Sequence, residues 1–219
     1  MKSKPKALLI ILLPLLLLLA VIATFFLSTP VPEAQTDAEA GKETKVAAKP
    51  KAEPAYLREG DSIIDIPLED ENGEKIALRA ERPTVLTFIF TRCPDMEFCP
   101  RMTGNFETIQ TELEKQGSPE LRLLSITLDP EFDRPERLKE YGEQMGADPE
   151  HWKFATGSKE AIDRLTKAFR VRIERDDSSD RIDHALCTAL IQPDGTITKV
   201  WRGNFWEPED VLAEVKQPQ

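Results

Sequence analysis

Cysteine occurs three times and histidine twice in 219 residues, so thiolate or imidazole chemistry has few members to draw on. Positive charge is also in deficit: 29 Lys and Arg stand against 39 Asp and Glu, a formal net charge of −10. The excess lies in the part of the chain beyond residue 56. That balance argues against nucleic acid or an anionic membrane surface as partner. It is compatible with cationic partners or metal ions, although solubility alone accounts for it. No internal repeat is apparent. No cysteine follows the long apolar run near the N-terminus, which excludes a lipidated-cysteine anchor, and no clear small-x-small cleavage site follows it either.

That apolar run is the longest in the chain. Residues 7–27 are apolar except for Pro14 and Thr24, and 21 helical residues rise about 31 Å, enough to cross a bilayer's hydrocarbon core. The run is longer than the apolar part of a typical signal peptide, so it reads as an uncleaved transmembrane anchor. Lys2, Lys4 and Lys6 make residues 1–6 a positively charged segment that stays in the cytoplasm or matrix. The rest of the chain is then translocated, to the periplasm of a bacterium or the intermembrane space of a mitochondrion, where disulfides persist. Residues 28–56 are rich in Pro, Ala, Lys and Glu without apolar periodicity. They read as a disordered linker to a domain at 57–219.

Within the domain, apolar stretches at 63–68 and 75–78 flank Asn72-Gly73 and predict a β-hairpin. The run 85–90 predicts a central strand buried on both faces. After Cys99, the positions of Met102, Phe106, Ile109 and Leu113 give one buried helix face. A second buried strand follows at 121–128. Asp133 and Glu136 resemble a capping box for a helix with Leu138, Tyr141 and Met145 on one face. Ser158 caps another helix, residues 174–183 read as a charged loop, and Asp194-Gly195 joins 185–191 to 196–201 as a hairpin. Pro208 opens a short terminal helix. This order predicts an α/β domain of thioredoxin-like fold: a peroxiredoxin-type N-terminal hairpin, then a central mixed sheet flanked by helices.

Phe88 to Met102 carries two of the three thiols. Cys93 and Cys99 lie at a strand-to-helix junction with five residues between them, where a helix N-terminus favours thiolate. The spacing permits a redox disulfide, looser than Cys-x-x-Cys, or a thiolate pair for a soft metal. It does not choose between them. His184 follows the charged loop and begins a strand expected near the core of the sheet; His151 reads as a surface residue. Cys187, at an odd separation from His184, is expected on the opposite face as a buried apolar thiol. Met96 reads as loop filler rather than a thioether ligand, and Trp201, Phe205 and Trp206 as packing rather than a docking patch. A thiol peroxidase is disfavoured, because Phe90 lies three residues before Cys93 where a Thr/Ser-x-x-Cys motif needs a hydroxyl.

Thr91-Arg92-Cys93-Pro94 through Cys99-Pro100, with Leu128-Asp129-Pro130-Glu131-Phe132-Asp133 and Asp183-His184 leading to Pro193-Asp194-Gly195, resembles the Sco/SenC family over roughly residues 60–215. The resemblance implies one copper ion held by Cys93, Cys99 and His184. Asp129 and Asp183 are candidates to stand behind the ligands, with turn and cap roles an equal reading of both. The resemblance further implies a copper chaperone rather than an enzyme, whose partner is the copper-receiving subunit of cytochrome c oxidase or another redox protein. Thiol-disulfide exchange by Cys93 and Cys99 is the allied activity, and the alternative is an oxidoreductase that uses this pair without metal. Two departures stand out. The family spaces its cysteines by three residues where this chain has five, and Phe132 and Arg134 replace usually polar neighbours.

Overall fold

The computed structural model describes residues 56–117, 121–176 and 181–216. The expected anchor at 7–27 and nearly all of the expected linker lie outside the described residues. Among the described residues, no helix is long and apolar enough to cross a membrane.

The elements run β1 (Leu68–Asp70), β2 (Lys75–Ile76), β3 (Thr84–Ile89), α1 (Cys99–Lys115), β4 (Arg122–Thr127), α2 (Pro135–Gln144), β5 (Trp152–Thr156), α3 (Lys159–Ala168), β6 (Ile173–Arg175), β7 (Ile182–His184), β8 (Cys187–Ile191), β9 (Ile197–Arg202) and α4 (Pro208–Val215). Seven strands form one mixed sheet in the order β2-β1-β5-β4-β3-β8-β9, and β6 pairs with β7 alone. The centre, β3–β4–β5, is parallel. The flanks β1 and β8 run antiparallel to it.

Every residue of β3 and β4 is buried, as a parallel sheet covered on both faces requires. Alternation along β3 then sorts the core into two layers. Val85 and Ile89 join Met102, Phe106 and Ile109 of α1 and Val211 of α4. Leu86 and Phe88 face Ile162 and Leu165 of α3, with Phe169 just beyond it. The carboxyl ends of β3 and β4 emerge together, where an open α/β sheet displays its reactive groups.

Several sequence expectations hold in detail. Gly73 closes the first hairpin with φ 77°, a left-handed conformation that glycine adopts without steric cost. Ser158 Oγ accepts a hydrogen bond from Ala161 N at 3.1 Å as the cap of α3. Three expectations need correction. The strand β5 was absent from the sequence-derived order because it is only five residues long and is interrupted by Lys153. The charged segment 174–183 is not all loop, since its ends pair as β6 and β7; the apolar residues there are too few to signal a strand. Finally, Asp133 does not cap α2. The N-cap is Arg134, with no side-chain cap bond.

Asp133 instead turns inward and is fully buried. Its carboxylate accepts from Thr91 N at 3.0 Å, from the Thr91 hydroxyl, and from Thr127 Oγ1 at 2.6 Å. It thereby ties the residue that follows Phe90 to the last residue of β4. Burial pushes its acid dissociation above the ordinary carboxylate range, against the opposing pull of these donors. Asp133→Ala leaves three donors unpaired and is expected to cost about 2–4 kcal/mol in urea unfolding of the full chain.

Candidate metal centre

The segment between the two cysteines is wound by its own backbone. Cys93 N donates to Phe90 O at 3.3 Å and Phe98 N to Asp95 O at 3.2 Å. The Asp95 carboxylate accepts from Glu97 N at 3.0 Å, an Asx-type turn. Asn204 Nδ2 holds Glu97 O from outside at 2.9 Å. These turns shorten the five-residue spacing and deliver Cys99 to the first turn of α1, which Pro100 preorganises.

His184 arrives from the other side as the last residue of β7. Its Nε2 lies 3.4 Å from Cys99 Sγ. Its Nδ1 is 3.3 Å from Ala185 O, and the Phe90 ring meets the imidazole edge-on at 5.7 Å. With the Nδ1 proton donated to that carbonyl, Nε2 presents its lone pair to the thiol side, as a metal-ligating histidine does. Burial lowers the tendency of His184 to protonate, which keeps the lone pair available.

All three cysteines are free thiols. Cys99 is fully buried and Cys93 half-buried. Hydrogen bonding with the adjacent Cys99 lowers the Cys93 thiol to a pKa of about 6, against the opposing effect of burial. The same bond, together with burial, pushes Cys99 far above the ordinary thiol range. Cys93 opens into a cavity of about 540 Å³ lined also by Met96, Phe98, Arg172, Arg181 and His184.

Cys99 is thus the common member, with Cys93 on one side and His184 on the other. Among the described residues, no group of three or more His, Cys, Asp and Glu already encloses a point suited to a metal ion. The chemistry of the donors fits a soft metal nonetheless, as thiolate and neutral imidazole suit copper(I). The 3.4 Å between Cys99 Sγ and His184 Nε2 is also shorter than the sum of two ligand bonds of about 2.3 and about 2.0 Å.

The remaining candidates fall out clearly. His184 does not begin a core strand. It ends the separate β6–β7 pair, and Ala185 and Leu186 interrupt the chain before β8 starts at Cys187. Strict alternation therefore does not connect the two residues, yet Cys187 does lie in the opposite core layer with Phe88 and Phe169. Burial pushes its thiol up to about 11. His151 is half-buried rather than on the surface, its Nε2 3.8 Å from Asp148. Trp206 is buried against Phe106, whereas Phe205 is 89% exposed. Met96 is 72% exposed, at the rim of the cavity beside Cys93.

Of the two acids considered as supports, Asp183 is exposed and pairs with Arg181 at 3.0 Å. Asp129 is the buried one. Its Oδ2 accepts from Arg92 Nε at 3.0 Å and lies 3.0 Å from Arg92 Nη2, fixing the residue just before Cys93. Sequence reasoning missed the roles of Arg92, Thr91 and Asp133 in this support. Two acids four residues apart after a buried strand were the available signal, but a turn or cap explains that pattern equally well.

Residues 67–218 match the model of the SCO1/SenC family. The chain belongs to that family. A relative described as SCO1 protein homolog, from Bacillus subtilis strain 168, is 28% identical over 153 residues, covering 68% of this chain and 78% of the relative. The solved structure of Bradyrhizobium japonicum ScoI with copper bound superposes with a TM-score of 0.58 at 25% identity, over 69% of this chain and 96% of that one. BsSco, described as a Sco-family cytochrome c oxidase assembly protein with a disulfide switch, gives 0.59 at 26% identity, over 76% and 95% respectively. The mixed sheet with its flanking helices is the thioredoxin-like architecture of these Sco structures.

The lowered pKa of Cys93 in this SCO1/SenC chain has a measurable signature. Alkylation of reduced protein, followed by mass spectrometry across pH, is expected to label Cys93 with a midpoint near pH 6, falling away below it as thiolate is lost. Cys99 and Cys187 stay unlabelled through neutral pH. Cys99→Ala removes the donor and moves the Cys93 midpoint upward, toward the ordinary thiol value of about 8.5.

Proposed function

We propose that this chain is a membrane-tethered copper-binding protein that assists assembly of the copper centre of cytochrome c oxidase. Cys93, Cys99 and His184 hold one copper ion as cargo. The observation that carries this reading is the 3.4 Å approach of His184 Nε2 to Cys99 Sγ, made between residues far apart in sequence. Two thiolates and a neutral imidazole select copper(I), and the half-exposed Cys93 offers the side from which an acceptor's own ligands can compete. The recipient is the copper-receiving subunit of the oxidase or another redox protein. Residues 7–27 serve as the anchor and 28–56 as the tether, placing the domain at 57–219 on the extracytoplasmic side. Copper-bound ScoI and the oxidase assembly protein BsSco support this reading by their likeness to the chain.

The same thiols support a second activity, favoured by the depressed pKa of Cys93. The Cys93 thiolate attacks a partner's disulfide, forming a mixed disulfide and releasing one partner thiolate. Cys99 then loses its proton and displaces the second thiolate, which leaves a Cys93–Cys99 disulfide and a reduced partner. Cys93 is the exposed attacker and Cys99 the buried resolving thiol.

Copper(I) titration of the reduced full-length chain, read by competition with a chelator, is expected to give one tightly bound equivalent. His184→Ala weakens it by at least about tenfold, while Cys187→Ser leaves it unchanged. Loss of no affinity in His184→Ala, or no copper retained by the wild type, would overturn the copper reading. For thiol exchange, Cys99→Ser is expected to accumulate the mixed disulfide through Cys93 with a disulfide-bearing peptide, visible as an added mass. Absence of that adduct counts against the exchange activity alone.

A further inference from the structure

Among the described residues, the hairpin that carries His184 is paired with no strand of the main sheet. Its register sets Ile173 opposite His184 and Arg175 opposite Ile182. Opposed residues in an antiparallel pair share a face, as do residues two apart in a strand. Ile173, Arg175, Ile182 and His184 therefore all lie on one face, and Glu174 and Asp183 on the other. Ile182 is buried and Ile173 packs against the core, so the first face is the inward one. Apolar contact alone holds a short hairpin loosely, because it fixes neither tilt nor depth.

Arg175 supplies the directional contact. Its Nη1 lies 3.5 Å from Asp129 Oδ1, and its Nη2 donates to Leu128 O, so the guanidinium grips the chain just past β4. Asp129 is 4% exposed, and its other oxygen takes the fork of Arg92. One carboxylate is thus flanked by two arginines, one adjoining Cys93 and one on the hairpin of His184. At the opposite end of the hairpin, Ala185 N donates to Arg172 O at 2.9 Å.

We propose that Arg175 is a positioning residue for the metal site: by clamping the β6–β7 hairpin onto the carboxyl end of β4 through Asp129 and Leu128 O, it sets His184 against Cys99. The inference rests on the copper reading above. Arg175 touches neither thiol nor imidazole in the contacts described and acts only through the placement of His184. Without Arg175 the buried Asp129 keeps the fork of Arg92, and the Arg175 side chain is 33% exposed, so its own pair adds little to global stability. Its loss is therefore felt in where His184 sits and not in whether the domain folds.

The experiment compares full-length wild type, Arg175→Met, Arg175→Lys, His184→Ala and the Arg175→Met/His184→Ala double variant. Copper(I) affinity is measured by chelator competition, and amide hydrogen exchange is followed over residues 173–184. Arg175→Met is expected to lower affinity about tenfold, to speed exchange in β7 and to leave the thermal midpoint near that of wild type. Arg175→Lys, which keeps one charged donor, recovers part of the affinity. In the His184→Ala background Arg175→Met changes affinity no further, because the ligand it positions is gone. Wild-type affinity in Arg175→Met, or an equal loss with and without His184, overturns the proposal. If the wild type binds no copper, the copper reading falls. The exchange data then decide the clamp alone, with unchanged protection in β7 overturning it as well.

Discussion

Two buried carboxylates at the carboxyl end of β4 hold the working end of the molecule together. Asp133 accepts from Thr91 and Thr127, and Asp129 faces Arg92 and Arg175. Both sit where parallel strands stop and the backbone must find new partners. Burying an acid is costly unless it is paired or hydrogen-bonded. Each therefore demands several donors, and those donors come from the segment before Cys93, from the end of β4 and from the hairpin of His184. The energetic requirement of the acids becomes a geometric constraint on the thiols.

The thiol pair works under a related constraint. Cys99 is fully buried, so ionising it alone is unfavourable, whereas Cys93 is half-open and can carry the charge. Charge on Cys93 and burial both disfavour a second thiolate at Cys99, so the pair stays singly negative rather than doubly so. A soft cation removes that restriction by making the second thiolate favourable, and an oxidised partner removes it by taking both sulfurs into a disulfide. The two proposed activities thus begin from one electrostatic state. The wide Cys93–Cys99 segment is wound by an Asx-type turn and held by the Asn204 contact.

Most of the scaffold was legible along the chain. The continuous apolar runs of β3 and β4, the heptad-like face of α1 and the Asn-Gly and Asp-Gly turns are local signals with local causes. What escaped was either short or charged. Lys153 interrupts β5, and the alternation in β6–β7 is carried by a few apolar residues among many ions. Asp133 departs from expectation for a different reason: its place before Pro135 and Glu136 suits a helix cap, but Thr127 at the end of β4 and the distant Thr91 claim the same carboxylate and are held there by the buried strands.

The sequence by itself determined which residues have the chemistry: two cysteines at a strand-to-helix junction, one histidine after a charged segment, and the motifs that mark a SCO1/SenC chain. Local chemistry is written in residue type and spacing. The tertiary structure alone decided that His184 Nε2 approaches Cys99 Sγ, that Asp129 and not Asp183 is the buried acid that holds Arg92 beside Cys93, and that Cys187 lies in the other core layer. Each of these depends on how β4, β7 and β8 end relative to one another. That relation is set by packing between distant strands, which no local spacing encodes.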